Sequence, residues 1–344
     1  MKIRVGLLVG YNGSAYHGLQ LNNDLHTIEK TIAQSLLKTG AITQQNAEDP
    51  RKIHMKSSSR TDKGVHAAFN LVSAKISVPI TPEFVNSLRD ALLQESIHLY
   101  DIVRLPKSII PSKQADSRIY EYVVPTFFLM QSSFSQEVHE MQKSDILKEK
   151  FGVWRDYPES LVDQIVGYTS LKEDIQVFNE ILQKYLGTQD FHNFTKQNTD
   201  KGTKRYIRSI VVSDPYTSDG IEYVKLEITG QSFLLHQIRK MVFFAMLLCR
   251  YQRNNIDIKF SMAFSNQSIH VPKSPSQYLL LDKPIFHRLR KGSSIECIEV
   301  DESQREEYKK TVIYPEIYKR KNLIGFFASL DSVRFHRENM VFLD

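Results

Sequence analysis

The residues best suited to chemistry lie in the stretch SSSRTDKGVHA, residues 57–67, in which the single acid Asp62 is flanked by Arg60 and Lys63. A carboxylate with cations within about 4–6 Å has its pKa lowered by about 1–3 units. Asp62 would then be a poor general acid but an available nucleophile or hydrogen-bond acceptor, and the cations would attract phosphates. The letters DKG are also typical of a surface turn, so both interpretations stay open at this point.

A second candidate group is the pair of tyrosines in SRIYEYVV, where Tyr120 and Tyr122 share one face of a predicted strand with Arg118. Tyrosine is a common core residue. It can also stack on a flipped-out base while its hydroxyl takes part in proton transfer.

The third candidate is Arg239, which lies beside His236 and Lys240 on an otherwise apolar predicted helix, GQSFLLHQIRKMV. An apolar helix rarely carries an inward arginine unless that arginine is paired. We therefore expect Arg239 to pair with a buried carboxylate, for which Asp62 is the obvious candidate.

Two patterns exclude other classes of site. The glycines Gly10, Gly13 and Gly18 match neither a Walker A loop nor G-x-G-x-x-G, which argues against an NTPase and against a nicotinamide or methyl-donor site. They predict instead a loop with unusual backbone angles. Cys249 and Cys297 form no disulfide framework and no zinc spacing, which favours a reducing, intracellular compartment.

The composition describes a globular chain with a basic excess. Its 344 residues suggest about two domains. The net charge of +6 favours an anionic partner such as nucleic acid. The sequence contains no apolar run of about 18 residues, so no membrane span is expected. Its first residues resemble neither a signal peptide nor a transit peptide.

Hydrophobic periodicity predicts that the second half repeats the helix-and-strand theme of the first, although no sequence repeat proves a duplication. The first half reads β-α-β-α-β-β, close to a split βαβ pattern, from a half-buried strand at 3–9 to a strand at 120–124. Thr27 is expected to cap its first helix, which Gly40 ends, and Thr81-Pro82 is expected to open the second. The second contains a helix at 173–186, a strand pair at 206–213 and 221–229, and a long helix at 232–251. The expected domains are an N-terminal catalytic half, 1–125, a connector or insertion, 126–172, a C-terminal half that completes the active site, 173–300, and a helical extension, 301–344.

Several motifs, in this order, resemble those of the tRNA pseudouridine synthase A (TruA) family over about residues 3–290. YNGSAYHGLQ is similar to the family's opening motif, SRTDKGVHA to its catalytic loop, RIYEY to its second motif and VPKSPSQYLLL to its late motif. The lysine of RTDKG, together with FHNFT, GQSFLLHQIRKM and the tail, resembles the eukaryotic multisite branch, tRNA pseudouridine synthase 1.

The resemblance implies the isomerisation of uridine to pseudouridine in RNA without metal, nucleotide or redox cofactor. Asp62 would be the nucleophile, although the residues do not choose between attack on C1′, attack on C6 and assistance to a glycal. Tyr120 would stack on the target uracil and help to remove the C5 proton, and Arg239 would pair with Asp62. The implied substrate-binding residues are Arg60, Thr61, Lys63, His66 and Leu279.

The resemblance also implies an α+β fold, in which two related halves form a continuous, mainly antiparallel sheet flanked by helices, with a central basic RNA-binding cleft. The expected partner is tRNA, with small nuclear RNA as a further candidate. The protein is expected to be a monomer and to have no membrane partner. The nucleus is the expected location, with the cytoplasm and the mitochondrion as alternatives. RNA binding should be salt-sensitive, and the candidate phosphate contacts are Arg51, Lys52, Lys56, Lys63, Lys196, Lys204 and Arg205.

Three positions depart from the family pattern: Tyr278 replaces a glycine, Ser274 replaces an alanine, and Leu19 stands where an aromatic residue is frequent. The two late departures either reshape the floor of the base pocket or reflect an alignment shifted by one place. Tyr278 motivates the alternative hypothesis of a non-catalytic RNA-binding protein on the same scaffold. A methyltransferase is a remote third hypothesis, because no glycine pattern supplies a donor site.

Overall fold

The structure is a computed structural model of the chain that describes residues 2–22, 24–130, 163, 165–196, 202–286, 298–331, 333 and 340–343. Most of the predicted connector, including Trp154, lies outside the described residues, as does Cys297. Cys249 is fully buried, as its apolar surroundings predict.

The fold is mixed α/β, and its sheet strands are mostly antiparallel and flanked by helices, which confirms the predicted class. The strands are β1 Ile3–Tyr11, β2 Lys56–Ser57, β3 His66–Ile76, β4 Ile97–Arg104, β5 Ser117–Pro125, β6 Gly187–Asp190, β7 Lys204–Val212, β8 Tyr216–Ser218, β9 Ile221–Gly230 and β10 Leu279–Ile285.

The α-helices are α1 Ile28–Lys38, α2 Gln44–Glu48, α3 Pro82–Leu93, α4 Pro111–Gln114, α5 Lys172–Gln183, α6 Gln237–Tyr251, α7 Ile256–Met262, α8 Glu302–Tyr308, α9 Tyr314–Ile317 and α10 Arg320–Asp331. A π-helical turn, Lys309–Ile313, joins α8 to α9. Short 3₁₀ turns cover Pro50–Ile53, Thr126–Leu129, His192–Phe194, Arg253–Asn255, Ser276–Tyr278 and Val341–Leu343.

The chain forms two compact units, and it passes between them several times. The first unit consists of Met1–Glu121, Thr229–Gln231 and Ser276–Ile317. The second consists of Tyr122–Ile228, Ser232–Pro275 and Tyr318–Asp344. The strands β5 and β9 therefore each contribute residues to both units.

In the first unit the strand order is β4-β1-β3-β10-β5, with β2 paired to β3. β1 is antiparallel to β3 and β4, whereas β10 runs parallel to β3 and places Leu280 opposite His66. β1 was expected to be half-buried, but every residue from Val5 to Tyr11 is buried. Because consecutive strand residues point to opposite faces, both faces of β1 are covered.

The predicted helix starts are confirmed where a cap is present. Thr27 caps α1 by accepting a hydrogen bond from the Lys30 backbone N–H, and Gly40, at φ +70°, follows the end of that helix. Thr81 caps α3 in the same way, by accepting from the Phe84 backbone N–H.

In the second unit the strand order is β5-β9-β7-β6, with β8 paired to β9. The helix predicted at 232–251 begins only at Gln237, because His236 has a left-handed backbone with φ +66°. The Gln237 side-chain oxygen then accepts a hydrogen bond from the Leu234 N–H, which closes this turn. The placement of His236 on the helix face was therefore wrong.

Candidate active site

Asp62 lies in the loop between β2 and β3, and this loop is a turn as well as a candidate catalytic segment. The Val65 N–H donates to the Asp62 carbonyl oxygen at 3.1 Å, and Gly64 has φ +78°. Asp62 is half-buried, Thr61 is buried, and Arg60 and Lys63 are exposed. The turn therefore leaves the Asp62 side chain partly accessible, between two exposed cations of the same loop.

The glycine-rich segment after β1 packs directly on this loop. The Leu19 N–H donates to the Thr61 carbonyl oxygen at 3.0 Å. A Cβ on Gly18, which has φ +94°, would lie 2.9 Å from the same carbonyl oxygen, and one on Gly13 would lie 2.0 Å from the Val65 carbonyl oxygen. The unusual backbone predicted for these glycines is confirmed at Gly18, and its structural effect is to let two loops touch.

A buried polar network, which sequence reasoning missed, forms hydrogen bonds to the loop. The Thr61 and Tyr11 hydroxyls lie 2.8 Å apart. The Asn70 side-chain nitrogen donates to the Tyr11 hydroxyl at 3.3 Å and to the Ser59 carbonyl oxygen at 2.9 Å, while Ser58 donates to the Asn70 side-chain oxygen at 2.6 Å. Asn70 is the one polar residue in the apolar run AAFNLV, and that isolated polar residue was the available signal.

His66, a predicted substrate-binding residue, is fully buried at the start of β3. The Gly13 N–H donates to its Nδ1 at 3.2 Å, so Nε2 carries the proton and donates to the Gln277 carbonyl oxygen at 3.1 Å. Burial lowers the pKa of His66 to about 4. The ring is therefore neutral near pH 7, and it joins the glycine segment to the chain before β10.

Tyr120 is buried on β5, with 7% of its surface exposed. Burial raises the pKa of Tyr120 to about 12, while Arg118 and the Ser59 hydroxyl oppose this shift and the charge of Asp62 adds to it. The charge of Asp62 therefore acts on the Tyr120 hydroxyl. Its hydroxyl keeps its proton near neutral pH.

Arg118 binds backbone carbonyl oxygens of the same unit. It donates to Ser58 at 3.0 Å, Ser112 at 2.8 Å, Ala115 at 3.1 Å and Gln231 at 2.8 Å. Burial lowers its pKa. Because one of these acceptors lies just before the Asp62 loop, Arg118 holds the loop against the strand that carries Tyr120.

The late motif lies beside the same loop. Leu279 is 6% exposed at the start of β10, whose next two residues pair with His66 and Ala67. Tyr278, which replaces the motif glycine, is fully buried. A Cβ on Gly64 would lie 3.1 Å from the Ser276 hydroxyl, so the late motif and the Asp62 turn are neighbours.

In the second unit, Arg239 lies in the first turn of α6 and is half-buried. Its Nε donates to the Ser274 carbonyl oxygen at 2.7 Å, and the Ser274 hydroxyl donates back to the Arg239 carbonyl oxygen at 3.0 Å. The serine that replaces the motif alanine therefore helps to hold the arginine. The Tyr122 hydroxyl donates to the next carbonyl oxygen, that of Pro275, at 2.8 Å. The pairing of Arg239 with Asp62 stays a prediction.

Lys240 is a buried cation that the sequence did not assign. Its Nζ donates to the carbonyl oxygens of Asn193 at 3.0 Å and Thr195 at 3.4 Å, which belong to the FHNFT segment. Burial lowers the pKa of Lys240 to about 8, and the charges of Lys196 and Lys273 contribute. The second unit therefore concentrates positive charge next to Arg239.

Three carboxylates of the first unit, Glu121, Asp282 and Glu306, have oxygens within 4.8 Å of one another, a spacing that would suit a metal ion. The Lys309 ammonium already lies between them, 2.8 Å from Glu121 and 3.0 Å from Asp282. Arg305 is 3.0 Å from Asp282 as well. A protein cation therefore occupies this position, and we call the group formed by Glu121, Asp282, Glu306, Arg305 and Lys309 the buried ion cluster.

The basic residues between positions 51 and 63 are all exposed, and one of them is paired with an acid. Lys52, Lys56, Arg60 and Lys63 are exposed. Arg51 is exposed too, but its Nε lies 2.7 Å from Asp49.

In the described part of the chain, no helix combines the length and apolar character that crossing a membrane requires.

Comparison with known proteins identifies relatives over most of the chain. The family model described as tRNA pseudouridine synthase matches residues 181–287. The tRNA pseudouridine synthase 1 of Candida albicans is 32% identical over 97% of this chain and 66% of its own length. The protein of the same name from Yarrowia lipolytica is 32% identical over 96% of this chain and 74% of its own. The tRNA pseudouridine(27/28) synthase of Saccharomyces cerevisiae is 34% identical over 81% and 83%.

Proposed function

Because the chain belongs to the tRNA pseudouridine synthase family, we propose that it isomerises uridine to pseudouridine in tRNA with Asp62 as the nucleophile. The observation that carries the proposal is the Asp62 loop itself. Its half-buried side chain lies on a turn held by the glycine segment, by the Tyr11–Asn70 network and by Arg118, and its charge acts on the Tyr120 hydroxyl. Such fixed placement lowers the cost of bringing a nucleophile to its target.

The first requirement of the reaction is that the uridine leaves its stack, which costs a few kcal/mol. Stacking on an aromatic side chain returns about 1–3 kcal/mol per base. Tyr120 supplies the aromatic face, and Leu279 supplies apolar surface beside the same loop. The exposed Arg60 and Lys63 provide charges for the phosphates that flank the extruded nucleotide.

The bond changes then centre on Asp62 and Tyr120. The carboxylate of Asp62 attacks C1′, attacks C6 or assists the loss of uracil to a glycal. By each route the N1–C1′ bond breaks, the uracil rotates, C5 bonds to C1′, N1 takes up a proton and Asp62 returns as a free carboxylate. The C5 proton must then leave. Because the Tyr120 hydroxyl holds its own proton at neutral pH, it accepts the C5 proton only while passing its own proton to a further acceptor.

The experiment that tests the proposal measures tritium release from tRNA labelled at uracil C5. We expect the wild-type protein to release tritium, and Asp62→Asn, which keeps the size and loses the charge, to bind tRNA and release none. The matched control is Asp90→Asn, at an exposed acid on α3, which should leave release unchanged.

Two outcomes of that experiment would count against the proposal. Absence of release from every tRNA pool, native or unmodified, would contradict the activity and support the alternative of an RNA-binding protein. Full activity of Asp62→Asn would contradict the nucleophile alone. Tyr278, which motivated that alternative, is fully buried, and its ring replaces none of the proposed catalytic groups.

The finer parts of the proposal concern substrate range, assembly and place. We propose tRNA as the main substrate with small nuclear RNA as a further one, a monomeric state, and a nuclear location. Mapping of pseudouridine in both RNA classes before and after loss of the protein tests the first. Light scattering of the purified protein and fluorescence microscopy of a tagged chain test the other two, and a dimer or exclusion from the nucleus would contradict them.

A further inference from the structure

A pocket of about 630 Å³ opens in the second unit, beside the β6–β7 hairpin. Its lining includes Asp190 and His192 from the end of β6, Lys204 and Arg205 from β7, and Phe264 and Asn266 from the segment after α7. None of these residues belongs to the Asp62 loop, to β5 or to β10. The volume lies within the range of about 300–1,000 Å³ that is common for sites of small organic groups.

The charge of the pocket favours an anion. Lys204 is exposed, and Arg205 is oriented by donating to the carbonyl oxygens of Gly202 at 3.3 Å and of Lys204 at 2.7 Å. An oriented arginine beside an exposed lysine suits phosphate, which both side chains bind.

The one acid in this lining, Asp190, is already engaged. Its Oδ1 accepts from the His192 backbone N–H at 3.2 Å and from the Thr203 hydroxyl, and it lies 3.6 Å from the His192 ring nitrogen Nδ1. The negative charge of Asp190 is therefore shared within the hairpin, which reduces its repulsion of an anion bound beside Lys204.

Another part of the lining suits a planar ring. Phe264 is half-buried and is held by other aromatic rings: it is stacked on Phe194 at 5.3 Å and meets Phe191 edge-on at 5.5 Å. Asn266 is exposed, and its amide offers both donors and an acceptor. A rigid aromatic wall with a nearby amide is a combination that recognises an unpaired base.

We propose that this pocket binds one unpaired nucleotide of the RNA substrate, at a site separate from the reacting uridine. Lys204 and Arg205 hold its phosphate, Phe264 lies along its base, and Asn266 faces the polar edge of that base. The proposal rests on the proposed function only for its assumption that the bound polymer is RNA.

The test compares the binding of labelled tRNA by the wild type, Lys204→Ala and the matched control Lys172→Ala, an exposed lysine of the same unit outside the pocket. Loss of one phosphate contact to an unpaired nucleotide reduces the steepness of log affinity against log salt by about 0.7, which corresponds to about fivefold weaker binding at 0.1 M salt than the wild type, relative to 1 M salt. We expect this effect for Lys204→Ala and no effect for Lys172→Ala.

A second measurement tests the base. Photo-crosslinking of tRNA that contains 4-thiouridine, followed by peptide mapping, should yield an adduct on the peptide that contains Phe264 and Asn266. Equal affinity of the two lysine variants overturns the phosphate contact. Absence of the adduct contradicts the binding of a nucleotide in this pocket, even if Lys204→Ala binds tRNA weakly.

These results separate the pocket from the catalytic proposal. If the wild type releases no tritium but Lys204→Ala still shows the loss of slope and the adduct forms, the pocket stands and the proposed activity fails. If tritium is released normally and the two lysine variants are indistinguishable, the activity stands and the pocket fails.

Discussion

Tyr120 combines an aromatic face and a hydroxyl that single substitutions can separate. Tyr120→Phe keeps the face and should lower kcat by about 10²–10⁴, the usual contribution of a positioned proton-transfer group, with little change in RNA affinity. Tyr120→Ala should also weaken binding, by about 1–3 kcal/mol of lost stacking. Tritium release and fluorescence anisotropy measure the two effects.

The control for this pair is Tyr206→Phe, because Tyr206 is an exposed tyrosine of β7. It should leave kcat and affinity unchanged. An active Tyr120→Phe variant would show that the hydroxyl takes no part in proton removal and would leave only the stacking role.

His66 should make stability depend on pH in a defined window. Its pKa of about 4 in the folded chain lies below the ordinary value of 6.5, so between these values the unfolded chain binds the additional proton. The neutral His66 ring makes its full contribution to the free energy of unfolding above about pH 6.5. As the pH falls toward 4 this contribution is lost, and the free energy of unfolding decreases by about 3 kcal/mol in all. Urea unfolding at pH 5 and pH 7.5 should show about 2 kcal/mol of this loss for the wild type.

The matching variant is His66→Gln, in which the pH-dependent loss of unfolding free energy should shrink. His17→Gln, at an exposed position, should retain it. An identical pH dependence in His66→Gln and the wild type would show that another group is responsible.

At the scale of elements, the buried ion cluster fixes the C-terminal helices to the sheet. Lys309 and its partners Glu121 and Asp282 have almost no exposed side-chain surface, and the Tyr314 hydroxyl donates to Glu121 at 2.7 Å. The carboxylates raise the pKa of Lys309 against the opposing effect of its burial. The cluster therefore joins β5 and β10 to the helical segment 302–317.

Lys309→Met should destabilise the first unit by about 3–5 kcal/mol, because it leaves buried carboxylates without their cation. The adjacent Lys310 is exposed, so Lys310→Met is the matched control and should change stability by less than about 0.5 kcal/mol. Urea unfolding measures both, and equal stability of the two variants would contradict a structural role for the cluster.

The sequence predicted elements where local signals decide the structure. Thr27, Gly40 and Thr81 marked helix ends correctly, since caps act through neighbouring backbone groups. It failed where distant residues decide. The alternation of β1 predicted one buried face, but segments such as the one containing Tyr308, whose ring approaches Gly10, cover this strand.

The candidate site also has parts that local sequence signals indicate and parts that depend on residues distant in the chain. Asp62, Tyr120 and Arg239 could be proposed from the sequence because their motifs are local. The contacts of Tyr11 with Thr61 and of Asn70 with Ser59 link residues 50 and 11 positions apart, and nothing in the local pattern pairs them. The neutral state of His66 also follows from burial alone, which periodicity does not report at a single polar residue.

At the scale of the molecule, the first unit is assembled from separate parts of the chain. Its sheet places β10 between β3 and β5, and the segment 302–317 joins it through the buried ion cluster. The predicted N-terminal half, 1–125, should therefore not fold by itself, since β3 would lack its parallel neighbour and the surface under the helices would be exposed.

This prediction is tested by expressing residues 1–125 alone and following urea unfolding by circular dichroism. We expect no cooperative transition, whereas a fragment of 1–125 with 276–317 attached through a flexible linker should show one. Cooperative unfolding of 1–125 alone would contradict the prediction.

The parallel pairing of β10 with β3 also has a consequence for synthesis on the ribosome. The Asp62 loop leaves the ribosome early, but its neighbour β10 begins only at Leu279. Because synthesis adds about 5–20 residues per second, the roughly 200 residues between the loop and β10 take about 10–40 s to make. During that interval the nascent chain exposes its cationic loop without the strand that completes the site, so the growing polypeptide should attract RNA before it is able to modify it.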